Sequence, residues 1–228
     1  GPAWAPAQPA APEAAQAASG ADANPAVMPS SGGPAEPPAA AEVEPGRDAV
    51  ALARALDERL TVWRSRRRRV YVAHCRHARV GCRARIVAFS RVLSVAGRRH
   101  GVDPFLLAAM AMKETGFNPF AAGGIGERGL VQLHPRGVGS HVRFVRNESY
   151  RAYCSRRDDA CQGEVVDAGA RLLASATRTC GGIPEALGRY NSGHCQVTRY
   201  STRVLEERQR LLRMAKADVR ADLAAFVD

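Results

Sequence analysis

The residue best placed to do chemistry in this chain is Glu114. It follows the run Pro104-Phe-Leu-Leu-Ala-Ala-Met-Ala-Met112 and Lys113, which is apolar on nearly every side, and it precedes Gly116. Two effects act on such a carboxylate in one direction. Apolar surroundings penalise the anion, and the negative end of a helix dipole penalises it again. Both favour a carboxylic acid that keeps its proton near neutral pH, as protonation of a glycosidic leaving oxygen requires. Lys113 is next in sequence, but successive side chains on a helix do not face each other, so it need not neutralise Glu114. A second acid, Glu127, lies within a turn with four glycines, Gly123, Gly124, Gly126 and Gly129. That turn lacks the Lys and the Ser or Thr of a phosphate-binding loop, and no strand is expected before it.

The six cysteines are the other reactive group: Cys75, Cys82, Cys154, Cys161, Cys180 and Cys195. An even count suits an oxidising compartment, and six allow 15 pairings. The sequence-local set is the expectation, namely Cys75–Cys82, Cys154–Cys161 and Cys180–Cys195. The competing use is metal binding by His74, Cys75, His77 and Cys82, with His194 beside Cys195. No Cys-x-x-Cys pair occurs, and that is the commoner zinc spacing. We therefore expect no metal and no cofactor.

Helices must position these groups. Asp103-Pro104 is a strong helix start, so the segment from Pro104 to about Thr115 reads as the central buried helix, stopped by Gly116. Before it, Ile86, Phe89, Leu93 and Ala96 define a helix over Arg83 to His100. A first helix is expected from residue 46 to about 63, with Val50, Leu52, Leu56, Leu60 and Trp63 in step. The run Arg64-Ser65-Arg66-Arg67-Arg68-Arg69 then reads as a solvated helix end or loop, or as a polyanion contact. Residues Leu130 to Tyr153 look irregular, and Cys154 to Cys161 should close a surface loop. Helices are expected from Gln162 to about Thr179, from Pro184 to about Tyr190, and from near Thr198. In the last, Tyr200, Val204, Leu211, Leu212 and Ala215 form the apolar stripe. No strand alternation is evident, so the fold class is mainly α, with room for a small β-hairpin at the glycines.

Composition sets the boundaries. Residues 1–45 are Ala, Pro, Gly and Ser with five acids and no Lys or Arg, which reads as a disordered linker. Residues 46–82 form a helical N-terminal extension with the Arg run, and 83–228 the main domain. The net charge is +11, all of it from beyond residue 45, so association with polyanions is expected. Nucleic acid is disfavoured because no aromatic residues interleave with the arginines. No apolar run is long enough to span a bilayer. Gly1-Pro2 reads as a processing remnant, which leaves a removed export signal open.

Three motifs stand in order. Glu114-Thr115-Gly116-Phe117-Asn118-Pro119 resembles the Glu-Ser-x-Phe-x-Pro signature of soluble-type lytic transglycosylases. Gly129-Leu130-Val131-Gln132 is similar to that family's Gly-Leu-Met-Gln. Arg189-Tyr190-Asn191-Ser192-Gly193 is similar to its Ala-Tyr-Asn-Ala-Gly. The likeness covers roughly Arg83 to Leu212. Thr115 replaces Ser, Val131 replaces Met, and Gly123 to Arg128 replace a Ser-Pro-x-Gly-Ala run.

The resemblance implies a lysozyme-like helical domain with a groove for peptidoglycan glycan strands, acting as a monomer in the periplasm or outside the cell. It maps the catalytic acid and base to Glu114. Thr115, Gln132, Tyr190 and Asn191 map to the groove, and Glu127 becomes an additional acid near it. The implied reaction closes a 1,6-anhydro ring on N-acetylmuramic acid. Goose-type lysozyme chemistry, with Glu127 assisting water, is the hydrolytic rival, and a non-catalytic wall-binding module is the rival of another class. Anionic envelope polymers are further expected partners.

Overall fold

The structure is a computed structural model that describes residues 46–64 and 68–224. The linker expected over residues 1–45 and the centre of the arginine run lie outside the described residues. Nine helices and one two-stranded sheet make up the described part, so the mainly helical class holds.

Helix α1 (Arg47–Arg59) buries Ala49, Leu52, Ala55 and Leu56. It stops four residues short of the expected end. The chain then forms a hairpin, β1 (Thr61–Arg64) antiparallel to β2 (Arg68–Tyr71), pairing Thr61 with Tyr71 and Trp63 with Arg69. The reading of Arg64, Arg68 and Arg69 as helix end or loop is therefore corrected, as is the absence of strands. β-Branched and aromatic residues on both arms suit a pleated ribbon, and two bonds tie its base to α1. The Thr61 hydroxyl donates to the Asp57 carbonyl at 2.6 Å, and the Tyr71 hydroxyl donates to the Asp57 carboxylate at 2.5 Å. The glycine segment, where a hairpin was expected, holds isolated bridges instead, from Ala122 to Arg128 and from Arg128 to Leu133.

A short α2 (Ala73–Arg76) leads through the Cys75–Cys82 disulfide into α3 (Cys82–His100). Here Ile86, Phe89, Leu93 and Ala96 are buried as their spacing predicts. Helix α4 (Pro104–Thr115) opens as expected, with the Asp103 carboxylate accepting from the Phe105 amide at 2.9 Å and proline in the first turn. Every residue from Phe105 to Ala111 is buried, and α4 packs against α1, α3 and α9.

Residues 130–153 are less irregular than expected. A 3-10 turn (Val138–His141), α5 (Arg143–Arg146) and α6 (Glu148–Cys154) follow one another. Pieces this short carry no readable period. They are held from outside: Glu164 of α7 accepts from the Phe144 amide at 2.9 Å, and Asn147 caps α6 by accepting from the Tyr150 amide at 2.8 Å.

Helix α7 (Asp158–Cys180) packs on α3 and α8 (Ile183–Ser192), and α9 (Arg199–Ala224) crosses α1 and α4. The three disulfides pair as the sequence-local set, which takes Cys75 and Cys82 away from any metal. Among the described residues, no helix is long and apolar enough to cross a membrane.

Candidate active site

The site is assembled at the C-terminal end of α4. Gly116 ends that helix in the left-handed region at φ 60°, which a glycine adopts without strain. Glu114 is thereby left half-buried in the last turn. Lys113 points elsewhere, with its Nζ 3.2 Å from Glu207 on α9.

The partner of Glu114 comes from the far end of the chain. The Tyr200 hydroxyl, on the first turn of α9, donates to Glu114 Oε1 at 2.6 Å. Sequence reasoning placed Tyr200 only in an apolar stripe. The available signal was a tyrosine in an otherwise aliphatic row, because a buried phenol needs a partner for its hydroxyl.

Ion pairs set the register of α9 against α4. Arg208 pairs with Asp103 at the start of α4, and Tyr200 meets Glu114 at its end, so the two helices run in opposite senses. Between them, Glu207 is only 2% exposed and is paired with Arg59 and Lys113. Burial alone would raise the Glu207 carboxyl. The two cations outweigh it and hold the group below its usual range.

Among the described residues, Glu114 has no such cation beside it. Burial pushes its carboxyl up, the Tyr200 hydrogen bond pulls it down, and the charge of Glu127 raises it again, to about 7. At neutral pH the acid and the carboxylate are then both well populated. The Tyr200 hydroxyl is raised far above its ordinary value by burial and by the Glu114 charge, so it remains a donor. With Oε1 held as an acceptor, the acid proton is left to the other oxygen of Glu114.

Tyr190 is drawn to the same place. Its hydroxyl donates to the Val131 carbonyl at 2.7 Å, and burial followed by the Glu114 charge lifts it well above the usual phenol range. Gly169 of α7 makes the room for this contact. A Cβ there would lie 2.7 Å from Val131 Cγ2 and 3.5 Å from the Tyr190 hydroxyl.

The glycine loop holds the remaining candidates. The Thr115 hydroxyl lies 2.9 Å from the Ala111 carbonyl and 3.1 Å from the Leu130 carbonyl, which ties the end of α4 to the loop. The Gln132 amide donates to the carbonyls of Ala121 at 3.2 Å and Gly129 at 3.0 Å, so it braces the loop from within. Glu127 Oε2 accepts from the Ile125 amide at 3.1 Å. A Cβ on Gly123 would sit 2.2 Å from that oxygen and 2.9 Å from Gln132 Oε1, so the glycine permits a close crossing. Asn191 is exposed on α8. The turn there is closed by the Ser192 hydroxyl on the Gly188 carbonyl at 2.8 Å and by the Gly193 amide on Arg189.

Two non-glycine residues among those described have positive φ, Phe117 at 72° and Gln132 at 49°. They flank the site, one just after Glu114 and one closing the loop. Each such conformation costs on the order of 1–3 kcal/mol and persists where surrounding structure imposes it. Phe117 is held by full burial and an edge-on contact with Phe89, centroids 5.6 Å apart. Gln132 is held by its own side-chain bonds to the loop.

The family model for the transglycosylase SLT domain matches residues 91–212, more than half of the chain. The chain belongs to the SLT lytic transglycosylase family. All three motifs that carry the resemblance lie inside the matched span, as do Glu114 and Tyr200. No solved structure matches the chain. Membership makes this SLT protein a transglycosylase-type enzyme acting on peptidoglycan. Its three disulfides fit an extracellular or periplasmic setting.

Proposed function

We propose that this SLT protein cleaves the β-1,4 bond between N-acetylmuramic acid and N-acetylglucosamine without water, with Glu114 as acid and then base. The observation that carries this reading is the Glu114 carboxyl, raised to about 7 and fixed through one oxygen by Tyr200. Glu114 gives its proton to the leaving O4 as the bond from O4 to the muramic C1 breaks. The resulting carboxylate accepts the proton of the muramic O6 as O6 bonds to C1 and closes the 1,6-anhydro ring. The proton count balances, and Glu114 ends as it began. One residue serves both steps because its two protonation states lie close in energy at neutral pH. The substrate's N-acetyl group supports the positive charge that develops at C1. Tyr200 and Tyr190 orient Glu114 and the loop beside it, while Thr115 and Gln132 act by holding the loop in place. Asn191, exposed beside Tyr190, is assigned to the rim of the glycan groove.

A second reading rests on Glu127, whose charge acts on Glu114. As a carboxylate near the groove it could activate a water, and the products would then be hydrolytic. Two-carboxylate glycosidases work in this way.

Product mass decides between them. Digestion of purified sacculi should give muropeptides lighter by one water than hydrolysis products, and Glu114→Gln should give none. Reducing-end muramic acid as the sole product would replace the first reading with the second. Equal behaviour of wild type and Glu114→Gln would leave a wall-binding module.

A further inference from the structure

The chain ahead of the family span makes its own contact with the site. His74 sits on α2, before residues 91–212 where the family model matches, and none of the three motifs includes it. Its ring lies against Gly116, the glycine that ends α4 two residues after Glu114. A Cβ on that glycine would be 3.8 Å from His74 Cε1, so the ring fills the space beside the turn. The contact is polar as well as steric. Burial lowers His74 below the usual histidine range, a hydrogen bond with the Gly116 backbone pulls it up, and the Arg85 charge lowers it again. The net direction leaves the ring neutral at neutral pH.

Gly116 is where such a contact matters. The Gly116 and Phe117 amides close the end of α4 on the Met112 and Ala111 carbonyls, at 3.1 and 3.2 Å. This turn sets where the last helical turn stops and how the chain leaves it, and Glu114 lies in that last turn. Phe117 follows at φ 72°, a conformation that surrounding structure has to impose. His74 is itself well fixed. The Cys75–Cys82 disulfide ties α2 to the start of α3, Cys75 is buried, and Arg85 of α3 donates to the His74 carbonyl at 3.2 Å. A group that holds another in place has to be locked by its own surroundings. The same stretch of chain reaches α4 from a second direction, because Arg59 of α1 pairs with Glu207, which also holds Lys113.

We propose that His74 is a positioning residue for Glu114, acting through the Gly116 turn, and that the segment ahead of the family span supplies it. A neutral ring suits the task. A lysine or arginine at the same place would add a cation near Glu114 and favour its carboxylate, which works against proton donation. The imidazole braces the turn without that charge. Its effect on turnover rests on the reading of Glu114 as the acid, whereas its effect on the burial of Glu114 does not.

The test compares His74→Ala, His74→Phe and His74→Gln in the full chain, with soluble wall fragments as substrate. His74→Ala should lower kcat roughly tenfold or more and leave KM within about twofold. His74→Gln, which keeps a side-chain N–H, should recover most of the loss, and His74→Phe, which fills the space without one, should recover less. In His74→Ala the alkaline limb of the kcat profile should move down by about one pH unit, since a looser turn admits water to Glu114 and lowers its carboxyl. Tyr200 of α9, Tyr190 of α8 and Glu127 of the loop, the titratable groups coupled to Glu114, are untouched in these variants, and a neutral His74 takes no charge away with it. A purely structural role would lower Tm and leave the limb in place. A second measurement needs no activity: the Tm gain from Glu114→Gln at pH 8 should shrink by roughly a third in the His74→Ala background. A His74→Ala enzyme with the turnover and limb of wild type, a loss confined to KM, or an unchanged Tm gain would each overturn the proposal. If Glu114→Gln cleaves like wild type while the Tm gain still shrinks, His74 positions Glu114 and the reading of Glu114 as the acid is what fails.

Discussion

Replacing Glu114 should make this protein more stable, and only at high pH. The Glu114 carboxyl rises from the ordinary 4.5 to about 7 in the fold. A raised carboxylate value means that the folded state holds the proton more tightly than the unfolded chain does. Stability is therefore unaffected by Glu114 below about pH 4, where both states are protonated. It falls as pH rises from 4.5 towards 7 and stays reduced above that. Each tenfold difference in proton affinity is worth about 1.4 kcal/mol, so the full penalty is on the order of 3 kcal/mol. Glu114→Gln removes the charge and keeps an oxygen able to accept from Tyr200. At pH 8 it should gain up to about 3 kcal/mol, a rise in Tm of roughly 6–12 °C for a domain of this size. At pH 4 the two proteins should melt together. Thermal and urea denaturation of both from pH 4 to 9 would measure the gap. A difference that does not change with pH, or a less stable variant at pH 8, would refute the reasoning, because the buried charge would then not be the source of the perturbation.

Cleavage of sacculi by wild type should be lost as pH rises through about 7, since the proposed first step needs the Glu114 proton. Tyr200→Phe removes a bond that lowers the Glu114 carboxyl and fixes Oε1; turnover should fall about 10- to 100-fold, the cost of one hydrogen bond to a charged group, while the alkaline limb of the pH profile moves up. Glu127→Gln removes a negative charge that raises Glu114, so the same limb should move down; if hydrolytic products disappear with it, Glu127 was serving water. Cys180→Ser with Cys195→Ser opens a link across 15 residues that carry Tyr190, and urea denaturation should show a loss of about 3 kcal/mol.

Much of this enzyme was legible in its sequence because the determining interactions are local. Asp103-Pro104 and Gly116 mark the two ends of α4 through backbone preferences that act within a turn. The apolar run between them required burial, so a carboxylate near its end had to be perturbed upwards. The cysteines pair with their nearest neighbours in sequence. The motifs around Glu114, Gln132 and Tyr190 identified the family before any contact was known. The short helices α5 and α6 were not legible, since four to seven residues carry no period, and α5 is held by Glu164 from another helix. The hairpin after α1 was missed because Leu60 and Trp63 fit a helical spacing that the tie from Tyr71 to Asp57 overrides.

Sequence alone therefore singled out Glu114 as the candidate acid and set the direction in which its proton affinity moves. The tertiary structure decided how that carboxylate is held. Tyr200 lies 86 residues from Glu114, and nothing local to either residue encodes their meeting. It follows from the way Arg208, Glu207 and the apolar stripe set α9 against α4, a register fixed only when both helices share one core. The same packing turned Gln132 and Thr115 inward to brace the loop, a choice that residue type left open and that the available backbone carbonyls made.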